Sequence, residues 1–417
     1  MLMFRKLLIC VVMIMSMMSG CSAEEGYSTL NLSESVNDFG WKYFKTLNKD
    51  ENIFYSPYSI ATALTIVANG AEKQTQEEML KVLSISSLED VNLSYKKFKN
   101  HIEKSYQGDG RTLMDSNLIL INSKYTANGI NSNYQKIVED TYKSTVRPAD
   151  FEGNLEDEKQ KITKWVDEKT NHFMPNYKSI VMADTIMDIL NVIYFKGDWA
   201  MPFKPKFTES EKFTNKDTSK INVDMMYRAF DNELKYYENN KYKAIALPYK
   251  RLNGNSVAMM YLLLPTKSSD LDIADEWSDE SSEYKQTFLE SIRKAPTFYG
   301  KVYVKLPKFE LDIENLIVDN LKSMGIQRAF TDNAEFFKMV NAMSLKIGNV
   351  NHRAKIKVEE TGTEAAAVTE VVMLETAAAP DPTPQVIKYF YADRPFLFVI
   401  EDVESGVELF TGVVNKM

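Results

Sequence analysis

Few side chains in this sequence could carry enzymatic chemistry. The only side chains that ordinarily titrate near neutral pH are His101, His172 and His352, and none of them stands in a metal-ligand spacing. Both cysteines, Cys10 and Cys21, fall within the first 21 residues, so the rest of the chain has no thiol for a disulfide, a metal or a nucleophile. Nucleophile-elbow, phosphate-loop and dinucleotide-binding motifs are missing. The sequence therefore predicts a protein that is not an enzyme, with no metal site and no cofactor.

The most unusual stretch of the chain stands out by its backbone preference and not by reactive side chains. Between Gly362 and Thr369 nearly every side chain is small. Glycine costs roughly 1 kcal/mol inside a helix, and valine and threonine prefer extended backbone, so a β-strand is favoured. Alternation along a strand gives one face of Thr363, Ala365, Ala367, Thr369, Val371 and Met373, and another of Glu364, Ala366, Val368, Glu370 and Val372. The first face is small at its start and apolar at its end, which is what a strand needs if it must slide between two existing strands. The second face keeps its acids in solvent.

This strand-forming pattern stops after Thr376. The next residues read AAAPDPTP, in which three prolines within five residues remove backbone donors and favour extended, exposed backbone. A segment that could become a central strand thus runs directly into one that cannot. We interpret the stretch as a segment with two alternative conformations.

Five separated motifs resemble those of the serpins. The run EETGTEAAAVT at 359–369, followed by RPFLF at 394–398, is similar to the hinge and distal anchor of the serpin reactive-centre loop. The others are, in the family's order, NIFYSPYSIATAL at 52–64, WVDEKTN at 165–171, NVIYFKGDW at 191–199 and VKLPKFEL at 304–311. The resemblance covers nearly the whole chain. It implies an α+β serpin fold of three β-sheets and about nine helices, with an exposed reactive-centre loop at about residues 360–393.

The resemblance also implies which residues serve the fold. The hinge residues that it implies are Glu360, Gly362, Thr363, Glu364, Ala365, Ala366 and Ala367. Residues matching the shutter and breach of the central sheet are Ser56, Ser59, Asn191, His352 and, at the breach, Trp199. A polar cluster beneath a sheet that must part has hydrogen bonds that can be remade. Ser56 also fits a plain helix cap, and both roles can hold.

An inhibitory serpin traps its target protease covalently. The family mechanism is cleavage of the loop to an acyl-enzyme, followed by insertion of the cut loop into the central sheet before deacylation. The fifteen residues from Gly362 to Thr376 would reach about 50 Å, near the diameter of about 55 Å of a globule of this length. The small hinge residues favour this function. The alternative is a non-inhibitory serpin that acts as a binding or chaperone-like module.

The resemblance also implies where the scissile bond lies. Counting fifteen residues from Gly362, as inhibitory members of the family require, places the cut between Thr376 and Ala377, with the bonds Glu375–Thr376 and Ala377–Ala378 as alternatives. No Arg or Lys lies near this cut, so the expected targets are elastase-like or subtilisin-like serine proteases with shallow pockets. The alternative target is a papain-like cysteine protease that binds Leu374 in its second subsite and cleaves after Glu375.

The N-terminal residues resemble a bacterial lipoprotein signal. Arg5 and Lys6 precede an apolar run at 7–18 that is too short to span a bilayer, and the sequence MSGC that ends at Cys21 looks like a lipobox. We expect acylation of Cys21 to anchor the exported protein in the outer membrane or at the cell surface. The alternative is a secreted protein whose signal is cut after Ala23.

Composition fits one folded domain behind that signal. The net charge of −8 argues against a nucleic-acid partner. The hydrophobic fraction of 44% allows a large core, and no Gly/Ser-rich or Pro-rich linker interrupts the interior. We expect a signal peptide at 1–20, a short tether at 21–30 and a single domain at 31–417. The family resemblance implies a monomer whose partner is the target protease.

Local patterns predict the elements that hold these residues. Ser56-Pro57 predicts a helix start, and Thr75 with Glu78 three residues later predicts a capping box for the next helix. One narrow apolar stripe at 157–170 is typical of a helix lying across a sheet.

Dense apolar runs and turns predict the strands. They indicate strands at 186–195 and 257–264 and a C-terminal hairpin of 396–400 with 407–414. Strands and helices mix without regular alternation, which indicates an α+β architecture.

Overall fold

The computed structural model describes residues 30–108, 110–340, 345–363 and 386–417. The helices in these ranges are α1 (Leu30–Lys45), α2 (Pro57–Gly70), α3 (Lys73–Val82), α4 (Leu88–Ser105), α5 (Ser132–Tyr142), α6 (Leu155–Lys169), α7 (Ile273–Asp279), α8 (Ser282–Lys294) and α9 (Val318–Met324). The strands are β1 (Ile53–Tyr55), β2 (Arg111–Asn122), β3 (Thr145–Ala149), β4 (Met187–Asp198), β5 (Glu209–Thr214), β6 (Lys220–Asp231), β7 (Lys235–Glu238), β8 (Tyr242–Pro248), β9 (Arg251–Leu252), β10 (Asn255–Ser256), β11 (Ala258–Pro265), β12 (Lys301–Pro307), β13 (Phe309–Leu316), β14 (Asn349–Glu359), β15 (Gly362–Thr363), β16 (Ile387–Tyr391), β17 (Phe396–Asp402) and β18 (Glu408–Val414).

The strands form three main sheets and one small hairpin. The sheet that we call the central sheet has the order β13-β14-β15-β4-β2-β3. A second six-stranded sheet has the order β1-β18-β17-β11-β8-β7, a four-stranded sheet has the order β16-β12-β6-β5, and β9 pairs with β10 alone. Strands and helices follow one another irregularly, which confirms the α+β prediction. Strands β17 and β18 pair antiparallel, which confirms the C-terminal hairpin.

Helix α2 lies beneath the central sheet and is buried along its whole length. Its sequence is apolar on nearly every side, as expected for a helix covered by other elements all round. It contacts β4 on one side and β18 on another. Ser56 caps it by accepting a hydrogen bond from the Ser59 amide at 3.0 Å, and Pro57 is its first residue. The predicted helix start is therefore confirmed.

Helix α6 covers the opposite face of the central sheet. Its narrow stripe of Ile162 and Val166 packs in a second hydrophobic cluster with Leu118, Leu190 and Val192 from the sheet. The polar side of the helix remains in solvent, as the single stripe predicted.

The predicted capping box at the start of α3 is wrong. The helix begins at Lys73, and its cap residue, Glu72, makes no side-chain cap bond. The Thr75 hydroxyl and amide instead bind the Glu335 carboxylate, at 3.3 and 3.2 Å. Glu78 accepts from the backbone amides of residues 327 and 328. The segment 327–335, which is distant in sequence, therefore binds both side chains that the local pattern assigned to the cap.

No helix in the described part of the chain is both long enough and apolar enough to cross a membrane. The same residues hold no cluster of three or more His, Cys, Asp or Glu side chains that could bind a metal ion. The predicted signal segment and Cys21 lie outside the described residues.

Candidate functional site

The central sheet has one short seam. Strand β4 pairs with β2 over eleven residue pairs, and β14 pairs with β13 over eight. Between β14 and β4 the parallel ladder has only six pairs, from Asn349–Asp188 to Ala354–Ile193. Beyond the Ala354–Ile193 pair the two strands diverge, and we call this end the top of the seam. The sheet thus consists of a β13–β14 half and a β4–β2–β3 half, joined directly by a ladder of only six pairs.

The two residues of β15 occupy the top of this seam. Gly362 and Thr363 pair antiparallel with β14 on one side and with β4 on the other. A Cβ atom on Gly362 would lie 2.2 Å from the carbonyl oxygen of Gly197, so only glycine fits so close to the neighbouring backbone. The Thr363 side chain is buried, on the face that strand alternation predicted.

Trp199 holds the chain where it turns into β15. Its indole N–H donates to the Glu359 carbonyl at 3.0 Å, and its backbone N–H donates to the Thr361 carbonyl at 2.8 Å. Its ring stacks on Tyr249 with centroids 4.5 Å apart. The Tyr249 hydroxyl in turn lies 2.7 Å from the Thr363 hydroxyl. The predicted breach residue therefore contacts the hinge, and Tyr249, which no local pattern singled out, completes the contact.

Glu360 fixes the base of the hinge from the outside. Its carboxylate accepts from the Thr208 hydroxyl at 2.8 Å and pairs with Lys308 at 3.2 Å. Partial burial acts to raise the pKa of Glu360, but hydrogen bonds from its own amide, Thr208 and Lys308 outweigh burial and hold the pKa below its usual value. The carboxylate is therefore charged at neutral pH and anchors the turn before β15.

The four predicted shutter residues form one hydrogen-bonded chain under the seam. The Ser56 amide donates to His352 Nε2 at 3.1 Å, so the ring proton stands on Nδ1, which lies 2.8 Å from Asn191 Oδ1. The Asn191 amide donates to the Ser59 hydroxyl at 2.6 Å. Burial lowers the pKa of His352 to about 3, so its ring is neutral.

Helix α2 is thereby bonded to both halves of the sheet. Ser56 reaches β14 through His352, and Ser59 reaches β4 through Asn191. The His352–Asn191 bond itself crosses the seam. Separating the halves requires these bonds to break or be exchanged. This arrangement fits a sheet that opens at one place.

A second side-chain hydrogen bond crosses the seam. Neither of its residues was predicted from the sequence. On the face covered by α6, the Asn351 amide of β14 donates to Asp188 Oδ1 of β4 at 2.8 Å. Burial raises the pKa of Asp188 to about 7, although hydrogen bonds from Asn349 and Asn351 act to lower it. A single aspartate within an apolar run carries no sequence signal of this role.

Asp188 gives the uncleaved protein a predicted pH dependence. Its pKa rises from 3.8 to about 7 on folding, so the unfolded chain loses the proton first as pH rises. The stability contributed by Asp188 is complete below pH 4 and falls by about 4 kcal/mol between pH 4 and 7. We expect Asp188→Asn, which keeps the Oδ1 acceptor, to raise the thermal midpoint at pH 8 and to match the wild type near pH 4.

Thermal melts of both proteins from pH 4 to 8 check this expectation. His352 acts in the opposite direction, because the unfolded ring gains its proton first as pH falls. It is common to both proteins, so its effect cancels in their difference. Parallel midpoint curves for the two proteins would contradict the assigned role of Asp188.

The remaining histidines lie in other parts of the fold. Buried His101 binds Asp402 at 2.8 Å, and exposed His172 binds Asp167 at 2.7 Å. Burial lowers the pKa of His101, but the hydrogen bond and charge of Asp402 outweigh burial and raise it. These two histidines and His352 each bind a different partner and do not form one constellation.

Several predicted site residues fall outside the described ranges. They are the hinge residues Glu364, Ala365, Ala366 and Ala367 and the predicted reactive bond, Thr376 and Ala377. Within the described residues the structure brings the other predicted hinge, breach and shutter residues to one seam.

Comparison with known proteins identifies the family of this fold. A family model described as Serpin (serine protease inhibitor) matches residues 34–417. The chain belongs to the serpin family. It is 32% identical over 379 residues to an uncharacterised serpin-like protein of Thermococcus kodakarensis, covering 91% of this chain and 84% of that protein. It is also 30% identical to human Serpin B4, covering 92% and 98% of the two chains.

Solved serpin structures confirm the predicted fold. Native tengpin, a thermophilic serpin, superposes with a TM-score of 0.80 at 25% identity, covering 93% of this chain and 94% of that chain. Uncleaved ovalbumin superposes with a TM-score of 0.77 at 25% identity, covering 93% and 100%. Serpins are generally inhibitors of serine proteases rather than catalysts, and they generally pair with target proteases.

Proposed function

We propose that this serpin is a suicide inhibitor of serine proteases whose cleaved loop inserts at the β14–β4 seam. The observation that carries the proposal is β15, which occupies the top of the seam and pairs with both flanking strands. A strand that has begun to insert can continue without a change of register. The tight approach of Gly362 to Gly197 and the buried Thr363 fit a hinge built for that path.

Continuing the β15 register predicts the order of insertion. The next three residues, 364–366, would enter where β14 and β4 have already diverged. From Ala367 onward each residue must separate one parallel pair, beginning with Ala354–Ile193. Thr369 would come between His352 and Asn191, so their hydrogen bond must break at that step. The shutter bond therefore resists insertion midway rather than at the start.

The energy of insertion favours the cleaved, inserted state. About a dozen inserted residues would add backbone bonds to both neighbouring strands. At roughly 0.5 to 1.5 kcal/mol of net stability per bond, the gain is on the order of 10 kcal/mol. This figure is net of the bonds broken in the six parallel pairs and of the side-chain bonds that cross the seam, because an inserted residue bonds to two strands whereas a broken pair had joined only one. The gain is realised only if no insertion-blocking side chain enters with the strand.

Trapping of proteases on denaturing gels tests the proposed function. We expect elastase and subtilisin to form covalent complexes with this serpin faster than trypsin does, because Thr376 and its neighbours offer no basic side chain to a carboxylate pocket. Pocket fit of this kind is worth about 1 to 3 kcal/mol per group, so the preference is broad. Mass spectrometry of the released peptide locates the cut.

Thr376→Arg is the matched control for this specificity. It should shift the preference towards trypsin without changing the fold. Faster trapping of trypsin than of elastase by the unmodified protein would show that the reactive bond is misplaced. A preference for papain with cleavage after Glu375 would support the cysteine-protease alternative. Cleavage without any covalent complex would support the non-inhibitory alternative.

We also propose that the inhibitor acts outside the cytoplasm as a lipoprotein anchored through Cys21. The support is the position of this cysteine directly after a signal-like apolar run, in a chain with no cysteine beyond it. An inhibitor held at a cell surface would meet proteases that approach from the surroundings.

A further inference from the structure

A buried ion pair lies behind the central sheet, beyond the shutter. Lys99 of α4 and Asp115 of β2 bind each other through Nζ and Oδ2, with side chains 6% and 1% exposed. The ammonium group also donates to the Asp115 carbonyl at 3.4 Å and lies 5.7 Å from the centroid of the Tyr58 ring. A charge pair so thoroughly removed from water is stable only while both partners stay together.

This ion pair is continuous with the shutter. Asp115 Oδ1 accepts from the Ser59 hydroxyl at 3.3 Å, and Ser59 binds Asn191 of β4. Asn117, two residues along β2, accepts from the Asn191 amide at 2.7 Å. One polar network thus runs from α4 through β2 and α2 to the seam.

The position of the pair decides which half of the sheet it holds. Asp115 belongs to β2, which the eleven-pair ladder ties to β4. Lys99 belongs to α4, in the helical layer that contains α2 and α5. On the β14 side the link from α2 described above is the bond from the Ser56 amide to His352. The β4–β2 half is therefore fastened to the helices by a buried charge pair, and the β14 half is fastened by a neutral bond.

We infer that Lys99 and Asp115 are positioning residues that hold the β4–β2 half against the helical layer and so raise the barrier to loop insertion. This inference rests on the proposed function, because it assigns the pair to the step in which the seam opens. When β4 moves away from β14, β2 moves with it and carries Asp115 away from Lys99. The pair is present before insertion and broken after it.

Removal of the ion pair should change the thermal midpoint of the uncleaved protein but not that of the cleaved protein. Lys99→Met leaves Asp115 buried and unpaired before cleavage, so the thermal midpoint of the uncleaved protein should fall by about 5 °C or more. In the cleaved protein the pair is already separated, so the midpoint should stay within about 1 °C of the wild type. Asp115→Asn should behave in the same direction.

The rate of loop insertion is a second quantity that tests the role of the pair. With the pair removed, the sheet has one fewer bond to break, and insertion after cleavage should be about tenfold faster. Stopped-flow fluorescence of Trp199, which stacks on Tyr249 beside the hinge, follows that step on mixing with elastase. A residue with a merely structural role would not alter this rate.

Glu401→Gln is the matched control. The buried Glu401 of β17 forms an ion pair with the partly exposed Arg293 of α8, away from the seam. Its loss should lower the midpoints of the uncleaved and cleaved proteins alike and leave the insertion rate unchanged. Equal losses in both forms for Lys99→Met would overturn the inference, because the pair would then survive insertion. If the wild type itself gains no stability on cleavage, the proposed function fails, and the inference fails with it.

Discussion

Cleavage near Thr376 is expected to raise the apparent thermal midpoint of this serpin by about 20 °C. The inserted strand adds on the order of 10 kcal/mol of backbone bonding, and each kcal/mol is worth about 2 °C in a chain of this size. The seam between β14 and β4 supplies the place, because its ladder ends at Ala354–Ile193 and, among the strands of the described residues, β15 alone lies between them beyond that pair. In the proposed mechanism the uncleaved sheet is kinetically trapped short of its most stable arrangement.

Melting curves of the intact and quantitatively cleaved proteins measure this effect. Nicking an ordinary surface loop leaves stability the same or lower. An engineered cleavage site at the exposed Asn253–Gly254 turn, between β9 and β10, supplies that comparison. We expect no gain from that cut. A midpoint that stays unchanged after cleavage near Thr376 would favour a non-inhibitory serpin.

Thr363→Arg should convert the inhibitor into a substrate. Thr363 is 1% exposed, and its hydroxyl lies 2.7 Å from the Tyr249 hydroxyl between β14 and β4. An arginine there would bury an unpaired guanidinium, at a cost of several kcal/mol. At about 1.4 kcal/mol per tenfold, the balance between insertion and deacylation shifts by about a hundredfold or more. The protease should therefore cut the loop and be released.

The same Thr363→Arg substitution should also change the uncleaved protein. Because Thr363 is already inside the sheet, arginine should expel β15 even before cleavage, while the six pairs from Asn349–Asp188 to Ala354–Ile193 keep the sheet closed below. The fold should be retained. Gels of mixtures with elastase, together with circular dichroism of the variant alone, check both statements.

Two variants control for the position and size of the side chain. Thr363→Ser keeps a hydroxyl within reach of Tyr249 and should inhibit as the wild type does. Glu364→Arg falls on the opposite, solvent-facing side of the predicted strand and should also inhibit. An undiminished covalent complex from Thr363→Arg would exclude insertion at this seam as the mechanism.

Elements with local signals were predictable from the order of residues alone. Period-two alternation predicted the buried face of Thr363, the Ser56-Pro57 pair predicted the start of α2, and one apolar stripe predicted that α6 lies across a sheet. These signals work because the backbone period and the cap are set by neighbouring residues. The ordered motifs of the chain carried the serpin resemblance, which the family match confirms.

The contacts between side chains that are distant in sequence could not be predicted in this way. Thr75 and Glu78 satisfy a local capping pattern, yet both bind the 327–335 segment, because a buried carboxylate such as Glu335 must find donors wherever the fold provides them. Lys99 and Asp115 have no sequence signal as a pair, since α4 and β2 approach each other only after the sheet and helical layer have packed. Local residue order specifies strands, helices and caps. The bonds that cross the seam, and those that fasten its halves to the helices, depend on contacts between residues far apart in the chain, and folding alone brings these residues together.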